Sequence, residues 1–206
     1  MTGPGSPLRL VTMATPHRVT SEPGTDGATI RTPRLVLRPW STDDAPAALG
    51  VFGDESVTRW LSPAMSRMDS VESMRSVLST WLSAPPPAPA GRWAVTSADD
   101  GRLLGGVAVL PLPPERSDLE IGWQLHPSEW GQGYAAEAGH AVAHHAFDAG
   151  VEELFAVVRP RNARGARTAT SIGMEWVGET DKYYDLRLQV YRLRKGELDV
   201  PRLPGA

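Results

Sequence analysis

Residues 119–137, LEIGWQLHPSEWGQGYAAE, change their periodicity within one short stretch, and that restricts the folds open to the chain. Ile121, Trp123 and Leu125 alternate at period two, as in a strand with one buried face. A loop follows, broken by Pro127 and Gly131. From Gly133 the pattern is helical, with Ala135, Ala138, Val142, Ala146 and Ala149 along one face. A strand, a glycine-bearing loop and a helix N-terminus in sequence form a site suited to phosphate. The first helical N–H groups have no partner inside the helix, and the dipole there favours negative charge. Gly131 and Gly133 let a ligand approach the backbone. The two glycines alone fit an ordinary tight strand-to-helix connection equally well. There is no G-x-x-x-x-G-K-[ST], which disfavours a Walker-type hydrolase. Ala136 occupies the third glycine position of G-x-G-x-x-G, which only a relaxed dinucleotide-binding pattern tolerates.

The segment Trp130-Gly131-Gln132-Gly133-Tyr134-Ala135-Ala136-Glu137-Ala138 resembles the acyl-CoA pyrophosphate loop of the GNAT superfamily of N-acyltransferases, in the form of its RimJ/RimL-like branch. Other stretches agree in order. Residues 31–38, RTPRLVLR, resemble the opening strand of the branch. Trp93-Ala94-Val95 with Leu104-Gly105-Gly106 resembles the following hairpin, and Asn162 with Gly173-Met174 resembles the helix after the fifth strand. The resemblance covers about residues 29–195. It implies an α+β fold: a mixed, mostly antiparallel twisted sheet of about seven strands flanked by helices, with a splayed central strand pair that receives CoA.

The rest of the chain is consistent with this. A chain of 206 residues suits one domain with tails to spare. Residues 1–28, rich in Pro, Gly, Thr and Ser, read as a flexible tail in which Met1 or Met13 is the start. Residues 29–195 form the domain and residues 196–206 a C-terminal tail. Residues 84–91 are a proline-rich loop inside the domain. A strand is expected within residues 29–40. Helices are expected over 45–52, 54–61, about 71–81 and 160–172, and further strands over 92–97, 103–112, 154–158, 174–179 and 184–193. The net charge of −3 gives no basic footprint for nucleic acid. No apolar run approaches the ~20 residues that span a bilayer, and no secretory pattern opens the chain. A cytoplasmic protein without nucleic-acid or membrane partners is the expectation, as a monomer or homodimer. The absence of cysteine excludes a cysteine acyl-enzyme, a disulfide and a Cys-zinc site. His140 and His144 lie at i, i+4 without the carboxylate of H-E-x-x-H, so no metal site is assigned.

The resemblance implies acetyl-CoA as donor, its pyrophosphate against the backbone of Gly131, Gln132, Gly133, Tyr134, Ala135 and Ala136. The pantetheine arm would pair with backbone groups of Gln124, Leu125 and His126, and a backbone N–H of Leu125 or His126 would stabilise the oxyanion. Asn162 matches the family asparagine on the cofactor arm and also fits a helix cap. Among Arg159, Arg161, Arg164 and Arg167, Arg167 best matches a basic position near the ribose-phosphate. Trp130 belongs to the loop motif. Gly165 departs from the family serine, and Ala169 stands where related ribosomal acetyltransferases place a tyrosine.

Glu120 is the candidate general base, matching an acidic position in the branch's E-x-G motif, with Asp118 in reserve on the same strand face. Trp123, Trp60 and Trp93 are candidate walls of an acceptor pocket. The implied function is transfer of an acetyl group to a primary amine, first a protein or peptide N-terminal α-amine, by direct attack on the thioester. The alternatives are a small amine (antibiotic or polyamine), a longer acyl group such as succinyl, or a non-catalytic acyl-CoA sensor.

Overall fold

A computed structural model describes residues 20–22, 29–61, 67–113 and 117–198, with backbone alone at 20–22. Nine strands form one sheet: β1 (Thr20–Glu22), β2 (Thr29–Arg31), β3 (Leu35–Pro39), β4 (Gly91–Ser97), β5 (Leu103–Pro111), β6 (Leu119–Leu125), β7 (Glu153–Val158), β8 (Glu175–Thr180) and β9 (Leu188–Arg194). Their spatial order is β1-β2-β3-β4-β5-β6-β7-β9-β8. Every pairing is antiparallel except β6 with β7. The expected count of about seven becomes nine because the segment around residues 29–40 is two strands, turned at Thr32-Pro33-Arg34, and because β1 pairs with β2. Among the described residues, five α-helices complete the fold: α1 (Ala45–Phe52), α2 (Glu55–Thr58), α3 (Val71–Ser83), α4 (Tyr134–Asp148) and α5 (Ala163–Ile172).

Most of the expected tails, with the choice of Met1 or Met13, lies outside the described residues. Residues 195–197 form a short 3-10 turn, and Leu198 packs into the main core. No helix among the described residues is long and apolar enough to cross a membrane.

Alternation along the strands sends apolar side chains to both faces of the sheet, and they gather in three clusters among the described residues. On one face, Trp93, Val95, Val107, Val109, Ile121 and Leu125 pack against α4 and α5. Close approach of these helices is possible because Gly139 of α4 has no Cβ, where one would fall 2.9 Å from Ile172 Cγ1. On the other face, Trp40 and Ala94 pack with Met74 and Leu78 of α3 and the apolar side of α1. Helix α3 starts where Ser70 caps it, its hydroxyl accepting from Ser73 N–H at 3.1 Å.

The parallel pair explains the cleft. β5 and β6 are paired along the whole of β6, whereas β6 and β7 register at Glu120 and Phe155 alone. α4 carries the chain back between β6 and β7, as a parallel crossover requires. Beyond Glu120 the strands diverge.

Gly105 keeps β5 close to β6. A Cβ there would collide with the Gln124 carbonyl oxygen and lie 2.7 Å from Leu125 Cα, both backbone atoms that cannot move aside. Gly105→Ala is therefore expected to destabilise the protein by about 2 kcal/mol or more, read from urea unfolding. An unchanged midpoint would show that this strand pair accommodates a side chain.

Candidate functional site

The diverging strands open a cleft of about 640 Å³ lined by β6, the end of β7, the loop 129–133 and the first turns of α4 and α5. A second cavity of about 380 Å³ lies on the α1–α3 face of the sheet. The two share Leu61, Glu120, Gly122 and Gln124, so they meet along β6.

At the loop end, Gly131 and Gly133 hold φ of 81° and 82°, a left-handed conformation that β-carbon-bearing residues adopt only at a cost. These angles turn the chain into α4, whose N-terminal residues Tyr134, Ala135 and Ala136 line the cleft. Nothing lies within 4 Å of where a Gly131 Cβ would stand. The free helix N–H groups and the small side chains fit a pyrophosphate.

The loop is tied down from three sides. The Trp130 indole N–H donates to Leu125 O at 3.0 Å. Glu129, buried, receives Arg102 at 2.6 Å and the Ser128 hydroxyl at 2.8 Å, and the Arg102 guanidinium holds its carboxyl below the usual range. The Glu137 carboxylate accepts from the Thr32 hydroxyl at 2.6 Å, Arg34 N–H at 3.1 Å and Arg34 Nε at 2.7 Å. Arg34 also donates to Gln132 O at 2.9 Å and stacks over Tyr134. The opening motif and the loop motif, far apart in sequence, are thus one clamp.

Backbone direction corrects one expectation. Leu112 N donates to Asp118 O and His126 N donates to Leu104 O, so the even-numbered residues of β6 turn their backbone groups toward β5. Gln124 and His126 therefore spend their amides and carbonyls within the sheet. The groups left to face the cleft are the N–H and C=O of Trp123 and the N–H of Leu125, whose carbonyl takes the Trp130 indole. His126 is also committed through its side chain, which caps the turn after β6 by accepting from Ser128 N.

The other expected residues divide. Asn162 lines the cleft and also caps α5, accepting from Gly165 N at 3.0 Å. A Cβ at Gly165 would lie 2.7 Å from the Asn162 amide nitrogen, so the departure from serine leaves room for this cap. Arg167 lines the cleft, and Arg164 stacks on Trp130 at 3.6 Å. Arg159 is occupied by Leu61 O, at 2.9 and 3.0 Å. Trp123 and Trp60 line the cleft. Trp93 lines neither cavity: its position on β4 turns it to the α4 face, where it is buried against His145. Gln132 is held inside the loop by Ser128 O and Glu129. Asp118 lies outside both cavities and receives the Tyr183 hydroxyl at 3.2 Å. Ala169 is fully buried, on the side of α5 away from the cleft, so a tyrosine has no room there.

Glu120 stands at the junction of the cavities. Burial pushes its carboxyl up to about 8, against the opposing hydrogen bonds from Tyr184 and from Val157 N–H on β7. The Tyr184 hydroxyl donates at 2.9 Å. Tyr184 and Asp185 hold φ of 59° and 53°, an uncommon conformation for such residues that delivers the hydroxyl to Glu120. Sequence patterns assign Tyr184 no role, because the contact joins residues 64 positions apart. The second cavity's wall of Trp40, Phe52 and Trp81 was likewise invisible, each ring sitting in an ordinary core pattern. Among the described residues no group of three or more His, Asp or Glu could hold a metal.

Because the folded-state carboxyl titrates near 8 and an unfolded glutamate near 4.5, the native state binds the extra proton between these values. Stability is then greatest below about pH 4.5 for this group and falls as pH rises to about 8. Chemical denaturation across this range should show the slope in the wild type and a flatter profile in Glu120→Gln. Parallel profiles would remove the burial argument.

Comparison with known proteins adds an independent line. A family model described as "Acetyltransferase (GNAT) domain" matches residues 34–175. The chain is 28% identical over 155 residues to the uncharacterized N-acetyltransferase YoaA of Bacillus subtilis, covering 75% of this chain and 86% of that one. A Mycobacterium smegmatis RimJ structure in complex with CoA-disulfide superposes with a TM-score of 0.68 at 20% identity, covering 90% of this chain and 88% of the other. RimL, a ribosomal L7/L12 alpha-N-protein acetyltransferase solved with coenzyme A, gives 0.66 at 16% identity, covering 79% and 95%.

Proposed function

The chain belongs to the GNAT acetyltransferase family and is an acyl-CoA-dependent N-acetyltransferase, and from that premise we propose that its acceptor is a protein or peptide N-terminal α-amine, with Glu120 as general base. The observation that carries the reading is the Glu120 carboxyl, held at about 8 where the two cavities meet. An α-amine titrates at ~7.7–8.0 and a lysine amine at ~10.4. Proton transfer from an α-amine to this carboxylate is close to balanced, the condition under which general-base catalysis is most effective. The acceptor of RimL, by its name an α-amine of a ribosomal protein, is in keeping with this.

Acetyl-CoA supplies the activated thioester carbonyl. The chain's part is placement and charge. The α4 N-terminus with Gly131 and Gly133 holds the pyrophosphate, and Asn162 and Arg167 flank the arm. The backbone N–H groups of Trp123 and Leu125 face the cleft, where they can meet the arm or the developing oxyanion. Glu120 accepts a proton from the attacking nitrogen as the new C–N bond forms. The C–S bond then breaks, and that proton leaves with the CoA thiol. Tyr184 positions Glu120 and lowers its pKa.

Calorimetry with acetyl-CoA, and with NAD and ATP as controls, tests the donor. Selective acetyl-CoA binding is expected, lost in Gly133→Val; equal binding by that variant would remove the loop from the site. For the base, free-thiol release should rise with pH to a limb near 8. Glu120→Gln should lower kcat by about 10²-fold or more while leaving acetyl-CoA affinity nearly unchanged. Tyr184→Phe should move the limb to higher pH. A Glu120→Gln profile identical to the wild type would exclude Glu120 as the base.

A further inference from the structure

The second cavity has a charged end that the mechanism does not use. Arg92 of β4 lies opposite Ala108 of β5, which lies opposite Gly122 of β6, so the three form a row across the α1–α3 face. Ala108 and Gly122 make a floor of small residues, and Gly106 lets the Trp40 ring lie against the sheet, where a Cβ would fall 2.8 Å from it. Trp40, Phe52 and Trp81 form an apolar wall, their rings 5.7–6.4 Å apart. Glu120 and Tyr184 sit at one part of the cavity and Arg92 at another, two strand spacings from Gly122, about 10 Å.

Arg92 is half-buried, and its guanidinium lies 5.5 Å from the Trp81 ring. That contact uses none of the guanidinium N–H donors in a hydrogen bond. No carboxylate pairs with it among the described residues, and burial depresses its pKa. Arg38, one strand away, shows the contrast: Asp44 takes it in a two-pronged pair at 2.7 and 2.8 Å. A half-buried cation without an anion bears a desolvation cost that an anionic ligand would offset. The planar fork of an arginine matches a carboxylate.

We propose that this cavity selects amine acceptors that carry a carboxylate, joined to the amine through an apolar or aromatic body, and that Arg92 binds that carboxylate. The proposal rests on the acetyltransferase reading of Glu120 and adds the substrate class. In a peptide acceptor, an acidic side chain close behind the N-terminus meets the description. The amine end faces Glu120, the body lies on the Ala108–Gly122 floor beside Trp40 and Trp81, and the anion reaches Arg92.

Two measurements test it separately from the chemistry. Tryptophan fluorescence, which Trp40 and Trp81 make responsive to this cavity, is titrated with phenylpropionate and with its uncharged amide. The wild type should bind the carboxylate about tenfold or more tighter, as expected of a charge-assisted contact. Arg92→Met should bind the two within about twofold, with Arg92→Lys between. Equal binding of both ligands by the wild type overturns the proposal. Thiol release is then compared for peptide pairs that differ by Glu against Gln at the second position. The kcat/KM ratio should be about tenfold in the wild type and near one in Arg92→Met, with acetyl-CoA affinity unchanged. A ratio near one in the wild type also overturns it. If no amine releases thiol, the acceptor reading of the preceding section fails, while the fluorescence comparison still decides whether Arg92 selects anions.

Discussion

The structure depends on one incomplete strand pairing. β6 is fully paired with β5 but meets its parallel neighbour β7 at Glu120 and Phe155 alone. Backbone groups alternate in direction along a strand. Beyond that bridge, the N–H and C=O of Trp123 and the N–H of Leu125 therefore point into the opening rather than into a ladder, the Leu125 carbonyl being taken by the Trp130 indole. In a sheet edge such groups invite pairing with another chain; here they are enclosed in a cleft of the size and lining an extended ligand needs. α4 follows β6 and α5 follows β7, so both helices begin at the same end of the parallel pair, and the unpartnered N–H groups at the start of α4 add to those of the strand.

A cleft of this kind is useful only if its rim is rigid. The glycines that open the loop also remove restraint from it, and the fold compensates with polar ties rather than packing. Glu137 gathers Thr32 and Arg34, Arg34 continues to the Gln132 carbonyl, and Trp130 fastens to Leu125. The loop is thereby referenced to β3 on one side and β6 on the other. Both strands belong to the continuous part of the sheet.

The two sides of β6 have different chemistry because the side-chain period is two. Ile121 and Leu125 enter the core under α4, and Trp123 packs against it. Glu120, Gly122 and Gln124 face α1 and α3, where small residues leave a cavity instead of a core. One carboxylate therefore lines both cavities. Its burial, its tyrosine partner and the distant Arg92 all lie on that second face. The proposed base and the proposed anion site would thus both follow from the same strand alternation.

The sequence by itself determined the strand–loop–helix unit, the order of nearly all the elements and the place of the loop glycines. Each rests on local information: period two against period three to four, a glycine where φ is positive, a capping residue before a helix. Only the tertiary structure decided which backbone groups of β6 are free, because that depends on register with β5, and it moved the assignment from Gln124 and His126 to Trp123 and Leu125. It removed Trp93 from the pocket, since a one-residue parity on β4 decides the face, and brought in Trp40 and Trp81 from other elements. It gave Glu137 to Arg34 and Tyr184 to Glu120, contacts spanning 103 and 64 residues. Local propensity carries no information about partners so far apart; closure of the sheet brings them together.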